Sequence, residues 1–111
     1  MKITITSIEL KNPFKFFALS KSALQILRQL KKTNCVDMKK RGLWTTHYTM
    51  TMWKTEKDLK DFATSGAHLK AMKESSAIAK EIRTLTIDAD VFPTWAEAKK
   101  MLEDAHVLSF E

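Results

Sequence analysis

The chain is poor in the residues from which familiar catalytic apparatus is built. It has only two glycines, Gly42 and Gly66, so neither a phosphate-cradling loop nor a dinucleotide-binding turn can be assembled. Its single cysteine, Cys35, excludes a disulfide framework and an all-cysteine metal cage, and suits a reducing compartment. The three histidines, His47, His68 and His106, are widely separated, and none has the i, i+4 partner of a helical zinc site. No serine sits in the glycine-flanked setting of a nucleophile elbow. Nucleotide, zinc-dependent and serine hydrolysis are therefore poor fits. Long apolar runs are missing as well, and the N-terminus alternates polar and apolar residues instead of forming a signal or an anchor. No membrane partner is expected, and a cytoplasmic location is the default.

What is present is ordinary globular composition. The 111 residues suit one domain spanning residues 1–111, with 44% apolar and 29% charged residues. The net charge of +6 is unevenly spread: residues 1–54 hold eleven Lys/Arg against two acids, residues 55–111 eight against eleven. Such asymmetry can mark a nucleic-acid surface. No aromatic residue interleaves with the Lys39–Lys40–Arg41 cluster, however, and stacking platforms need that pattern. Nucleic acid ranks last among partners.

Lys2–Leu10 has the alternation of a strand. Ile3 and Ile5 share one phase and Ile8 and Leu10 the other, which requires either a bulge near Ser7 or burial on both faces. Asn12–Pro13 starts a helix to Lys32, with Phe17, Ala23, Leu24, Leu27 and Leu30 near one side. Thr33–Lys40 and Leu43–Trp53 follow as two strands, with the hairpin turn placed at Arg41–Gly42. The second of these carries no charge on either face, so cover is expected on both. Thr55 to Asp58 opens a short helix bearing Leu59 and Phe62. Ser65–Gly66 breaks it, and a second helix runs to about Ile82, with Leu69, Met72, Ile78, Ala79 and Ile82 facing inward. Thr84–Phe92 alternates as a fourth strand. Thr94 and Glu97 have capping-box spacing at the start of a terminal helix to about Asp104, and the apolar tail, His106–Glu111, is expected to dock.

The order predicts an α+β, ferredoxin-like βαββαβ domain with a C-terminal helix and a four-stranded antiparallel sheet. With helices on one face of the sheet, the other face needs cover, and a second copy of the chain is the simplest source. A homodimer is the expected partner state.

The uncommitted polar and aromatic groups fall between Trp44 and Met72. His47 lies among threonines on a covered strand, where it needs hydrogen-bond partners. A hydrogen-bonded histidine in the dimer interface is the simpler reading, and a ligand-lining one the alternative. His68 falls in the first turn of the helix after Gly66, where the helix dipole favours a neutral ring able to move one proton. Met50, Met52, Met72 and Phe62 form a soft apolar lining, which is also what plain core looks like. Trp53 ends its strand where a helix begins and is expected to plug that junction. A pocket for a small apolar or aromatic molecule would then be lined by Trp44, His47, Phe62 and Met72, with Tyr48 and His68 as proton-handling groups.

The segment Trp53-Lys-Thr-Glu-Lys-Asp-Leu59-Lys-Asp-Phe62-Ala-Thr-Ser65-Gly66-Ala-His68-Leu-Lys-Ala-Met72 resembles the dimeric α+β barrel superfamily. That group contains antibiotic-biosynthesis-type and haem-degrading monooxygenases. The Ser-Gly-Ala-His-Leu stretch is similar to the spheroidene-monooxygenase-like proteins and their uncharacterised relatives. The resemblance implies a ligand pocket between sheet and helices in each subunit, with the two sheets packed across a dimer. It implies cofactor-independent oxygenation of polycyclic aromatic substrates, in which the substrate itself activates oxygen, as one available chemistry. Haem-degrading members hold haem with a histidine on the second helix. Matching on Trp53, Leu59, Phe62 and Ser65 puts that position at Met72, and puts the pocket tryptophan of those proteins at Phe62. Both departures count against haem, so no cofactor is expected. A non-catalytic homodimeric binding module and a haem protein using His68 or Met72 stand as the alternatives.

Overall fold

The computed structural model describes residues 1–30, 33–43, 45–64 and 78–109. Among these residues there are five strands and three helices: β1 (Lys2–Leu10), α1 (Phe16–Leu30), β2 (Cys35–Leu43), β3 (Thr46–Trp53), α2 (Glu56–Ala63), β4 (Ala79–Asp88), α3 (Trp95–Leu102) and β5 (His106–Ser109). The strands form one antiparallel sheet in the order β2-β3-β1-β4-β5. The four expected strands and their βαββαβ connection are therefore there, and the tail adds a fifth strand. No helix of the described residues is long and apolar enough to cross a membrane.

Helix starts follow local chemistry. Asn12 accepts a hydrogen bond from the Lys15 amide (3.2 Å) and Pro13 opens a 3₁₀ turn, Pro13–Lys15, that leads into α1. Thr55 accepts from the Asp58 amide (3.2 Å) at the head of α2. At α3 the capping box is complete. The Thr94 hydroxyl accepts from the Glu97 amide (3.2 Å), and the Glu97 carboxylate accepts from the Thr94 amide (3.1 Å) and hydroxyl (2.9 Å).

The sheet is covered from two sides. Ile3, Ile5, Met50 and Met52 pack beneath Ala98 and Leu102 of α3, with Tyr48, Leu85, Ile87, Phe92 and Trp95 half-buried around them. On the opposite face Trp53 and Phe62 form a second cluster with Ile26, Cys35, Met38 and Leu59, under α1 and α2. This corrects the expectation that helices would occupy one face only. The apolar stripe Trp95–Ala98–Leu102, at i, i+3, i+7 spacing, fits over the isoleucine–methionine surface and covers much of it from within the chain.

Other expectations also shift. β1 stays in register through Glu9 on both sides and slips only between Glu9 and Leu10 on its β4 side. Its phase change is thus mostly burial on two faces. The hairpin strands pair as far as Leu43 opposite Thr46, so Arg41 and Gly42 lie within β2, opposite Tyr48 and His47. β4 begins at Ala79, where a helix had been expected to continue to Ile82. The i, i+4 spacing of Ile78 and Ile82 imitates a helix, but pairing with Ile8 and Leu10 of β1 decides the conformation. The helix expected between Gly66 and Ile78 lies outside the described residues. In α1, Phe17 and Leu24 are exposed, while Leu19 and Ile26 are half-buried, Ile26 against the Trp53–Phe62 cluster. The side chains of Ala23, Leu27 and Leu30 are outside the described set.

Candidate functional site

Strand register arranges the face beneath α1 and α2 into rows. Across β3, β1 and β4 these are Trp53–Lys2–Asp88, Thr51–Thr4–Thr86, Thr49–Thr6–Thr84 and His47–Ile8–Ile82. Over these three strands the two central rows are six threonines, and on β2 they continue to Met38 opposite Thr51 and the exposed Lys40 opposite Thr49. Thr49 and Thr86 are exposed and the other four are half-buried. The Thr4 and Thr86 hydroxyls are 3.0 Å apart, those of Thr6 and Thr84 3.4 Å apart. The only charges on the neighbouring row, Lys2 and Asp88, neutralise each other at 2.7 Å. Their hydrogen bond raises the Lys2 pKa and lowers that of Asp88. The result is a hydroxyl-rich floor two rows deep, without charge on β3, β1 and β4 and bordered on β2 by Lys40.

Aromatic groups close the floor at both ends. Trp53 is fully buried, with its ring centroid 5.1 Å from that of Phe62. Its indole N–H donates to the Thr51 hydroxyl at 2.9 Å, which ties the aromatic cluster to the floor. At the other end His47 stacks on Phe16, with centroids 5.6 Å apart and planes at 29°. Its imidazole lies directly over Gly42, and the Nε2 atom is sealed from solvent.

The opposite face carries a different arrangement. Tyr48 meets Trp95 (6.3 Å) and the Lys99 ammonium (5.3 Å). Beside it a cleft of about 370 Å³ is lined by Ser7, Glu9, Glu81 and Arg83 together with the end of α3. Arg83 and Glu81 in this cleft are engaged in holding the fold. Arg83 donates to Glu81 at 2.6 Å and to the carbonyls of Leu102 and Glu103, both at 3.1 Å. The Glu81 carboxylate holds the guanidinium firmly charged. A second hollow, of about 420 Å³, lies between β2 and the head of α2, lined by Asn34, Cys35, Val36, Lys54 and Asp58. The Cys35 thiol donates to the Asp37 carbonyl (3.3 Å), and burial pushes its pKa up, so it lacks the character of a reactive thiolate. Among the described residues no group of His, Cys, Asp and Glu side chains is arranged to hold a metal ion.

Of the residues singled out from sequence, His47 and Phe62 lie on the helix side, at opposite ends of the threonine floor. Tyr48 lies on the other face, under α3, so the sheet separates it from Phe62 and the two do not line one pocket within the chain. Trp44, His68 and Met72 fall outside the described residues. Met50 and Met52 are core, and Trp53 plugs the sheet–helix junction. Sequence reading passed over the threonines themselves. Their signal was Thr at i and i+2 in three strands, Thr4/Thr6, Thr49/Thr51 and Thr84/Thr86.

No family model matches the sequence, and no curated protein matches it. Solved structures do. A candidate antibiotic biosynthesis monooxygenase from Deinococcus radiodurans superposes with a TM-score of 0.73 at 8% identity, covering 85% of this chain and 97% of its own. A structure described as an antibiotic biosynthesis monooxygenase gives 0.70 at 10% identity, covering 82% and 100%. A conserved protein from Methanosarcina mazei gives 0.71 at 16% identity, covering 81% and 94%. The chain therefore shares the α+β fold of the solved antibiotic-biosynthesis-monooxygenase-like proteins, as the Trp53–Met72 resemblance implied. At these identities the likeness is one of fold alone.

Proposed function

We propose that the protein binds a small, uncharged, largely apolar or aromatic molecule against the threonine floor, on the side of the sheet that carries α1 and α2. The observation that supports this reading most is the composition of the floor. A sheet face beneath helices is ordinarily filled with Val, Ile and Leu, because each hydroxyl taken from water without a partner is costly. Here six threonines take those places, four of them half-buried, with pairings at Thr4–Thr86, Thr6–Thr84 and Trp53–Thr51. Threonine offers methyl groups to a flat apolar ligand and hydroxyls to its few oxygens, and no charge opposes a neutral molecule. The fold shared with proteins named as antibiotic biosynthesis monooxygenases points the same way.

Oxygenase-type chemistry without a resident cofactor is the reaction that suits such a floor. The protein would orient the substrate and exclude water, with His47 at the end of the floor, or His68, as the proton-handling group. Tyr48 has no part in this reading. The test is a thermal-stabilisation screen of planar aromatic hydroxy compounds, with haemin included because Met72 takes the place of a haem-ligating histidine. Compounds that stabilise the wild type and not Thr49→Val/Thr86→Val support the reading. Stabilisation that is equal in both removes the floor from the site.

We further propose a homodimer formed through the α3 side of the sheet. Tyr48, Leu85, Ile87 and Trp95 remain only half-buried there even with α3 in place, and a second copy would complete their cover. Light scattering on the purified protein distinguishes dimer from monomer.

A further inference from the structure

We infer that α1 is a peripheral membrane-docking element, whose outer face lies on an anionic lipid surface. Phe14, in the 3₁₀ turn before the helix, is 81% exposed, Phe17 76% and Leu24 51%. Such side chains turned to water next to one another call for an apolar neighbour. Phe17, Lys21, Leu24 and Arg28 follow one another at spacings of four, three and four residues, so they form a single stripe. That stripe is diametrically opposite Leu19 and Ile26, which are half-buried, Ile26 against the Trp53–Phe62 cluster. The apolar outer stripe is therefore separate from the face that α1 uses for packing.

Charge selects the occupant. From Leu10 to Val36 the sequence contains Lys11, Lys15, Lys21, Arg28, Lys31 and Lys32 and no acid. Lys11, Lys21 and Arg28 are exposed and form no ion pair with the described residues. Pairing of α1 with α1 of a second copy would bring two acid-free cationic faces together. A nucleic-acid strand would find a convex helix with no groove, and Leu24 has no ring to stack on. An anionic bilayer suits both features. The Phe and Leu side chains enter the boundary between headgroups and acyl chains, while Lys21 and Arg28 lay their stems along it and place their charges among the phosphates. This is adsorption by one helix face, distinct from spanning. It also leaves the sheet free to carry a ligand on its inner side, and it would bring the site close to a store of apolar molecules.

Co-sedimentation with phosphatidylcholine vesicles, with and without phosphatidylserine, tests the inference at low and raised salt. The wild type is expected to sediment with phosphatidylserine-containing vesicles only, and less so as salt rises. Phe14→Ser/Phe17→Ser and Lys21→Glu/Arg28→Glu are each expected to weaken this binding by about tenfold or more. All four positions are exposed, so circular dichroism should match the wild type. Binding that is absent, equal on both vesicle types, or unchanged in either double variant overturns the proposal. Self-association or oligonucleotide binding that depends on the same residues, without vesicle binding, overturns it equally and assigns the stripe to that partner.

Discussion

A Cβ built on Gly42 would stand 2.6 Å from Nδ1 and 2.9 Å from Cε1 of His47, its cross-strand partner. The imidazole occupies the space that any other residue would fill, and Phe16 stacks on the same ring. Gly42 is thus present to admit His47. Gly42→Ala must push the ring off Phe16, with an expected loss of about 1–3 kcal/mol, the range for overpacking. Urea denaturation should show a lower midpoint at unchanged slope. In a His47→Ala background the same substitution should cost little, and a full cost there would mean that the clash lies elsewhere.

The Trp53–Thr51 bond gives a second expectation. Trp53 is wholly buried and its indole N–H has the Thr51 hydroxyl at 2.9 Å. Thr51→Val keeps the shape and removes the acceptor, leaving a buried donor unsatisfied at about 1–3 kcal/mol. Thr86→Val, on the exposed side of the same row, should change stability by only about 0.5 kcal/mol. Equal effects from the two substitutions would contradict this ranking.

How much of this was legible depended on whether the cause was local. Thr55 with Asp58 and Thr94 with Glu97 are caps within four residues of chain, and they formed where their spacing indicated. The alternation of Ile3 and Ile5 and of Met50 and Met52 located the core, because strand period is a local property. Gly42 was misread as a turn because the reason for it, the ring of His47, comes from the facing strand. Phe17 and Leu24 were grouped with Ala23, Leu27 and Leu30 on one apolar side because a helix rich in apolar residues admits more than one such phase, and only the tertiary fold leaves those two exposed and packs Ile26 against the Trp53–Phe62 cluster. The split of Tyr48 from Phe62 was half-legible. Odd and even positions of β3 were known to face opposite ways, but not that α3 would cross to cover one of them. The threonine floor needed the register of three strands distant in sequence, which no single-strand pattern contains.

Cys35 should behave as a shielded thiol. Burial is the largest influence on it and raises its pKa, so the folded protein keeps the proton where an unfolded chain begins to lose it. Alkylation by iodoacetamide at neutral pH is expected to be slower than in urea, and to accelerate as the pH is taken above the ordinary thiol range. The sign for stability follows, since ionisation is easier in the unfolded chain and alkaline pH therefore favours unfolding at this residue. Alkylation as fast in the folded protein as in urea would show that the thiol is open.

Glu97 gives the clearest pH dependence. Its carboxylate accepts from the Thr94 amide and hydroxyl, and these bonds, the amide first, hold its pKa below the ordinary value. The folded state therefore favours the ionised form more than the unfolded chain does. The stabilisation is complete above the ordinary carboxylate pKa and is lost as the pH falls through the lowered, folded value. Asp88 is lowered as well, by Lys2, so acid sensitivity of the whole protein does not isolate the cap. The difference in Tm between wild type and Glu97→Ala does, because Asp88 is common to both. That difference should be constant from neutral to mildly acidic pH, shrink as the carboxylate is protonated, and then level off. It should be accompanied by faster amide exchange at the head of α3 in the variant. A Tm difference that persists undiminished in acid would mean that Glu97 acts through packing, and that the ionised capping box is not what holds α3 over Ile3 and Met52.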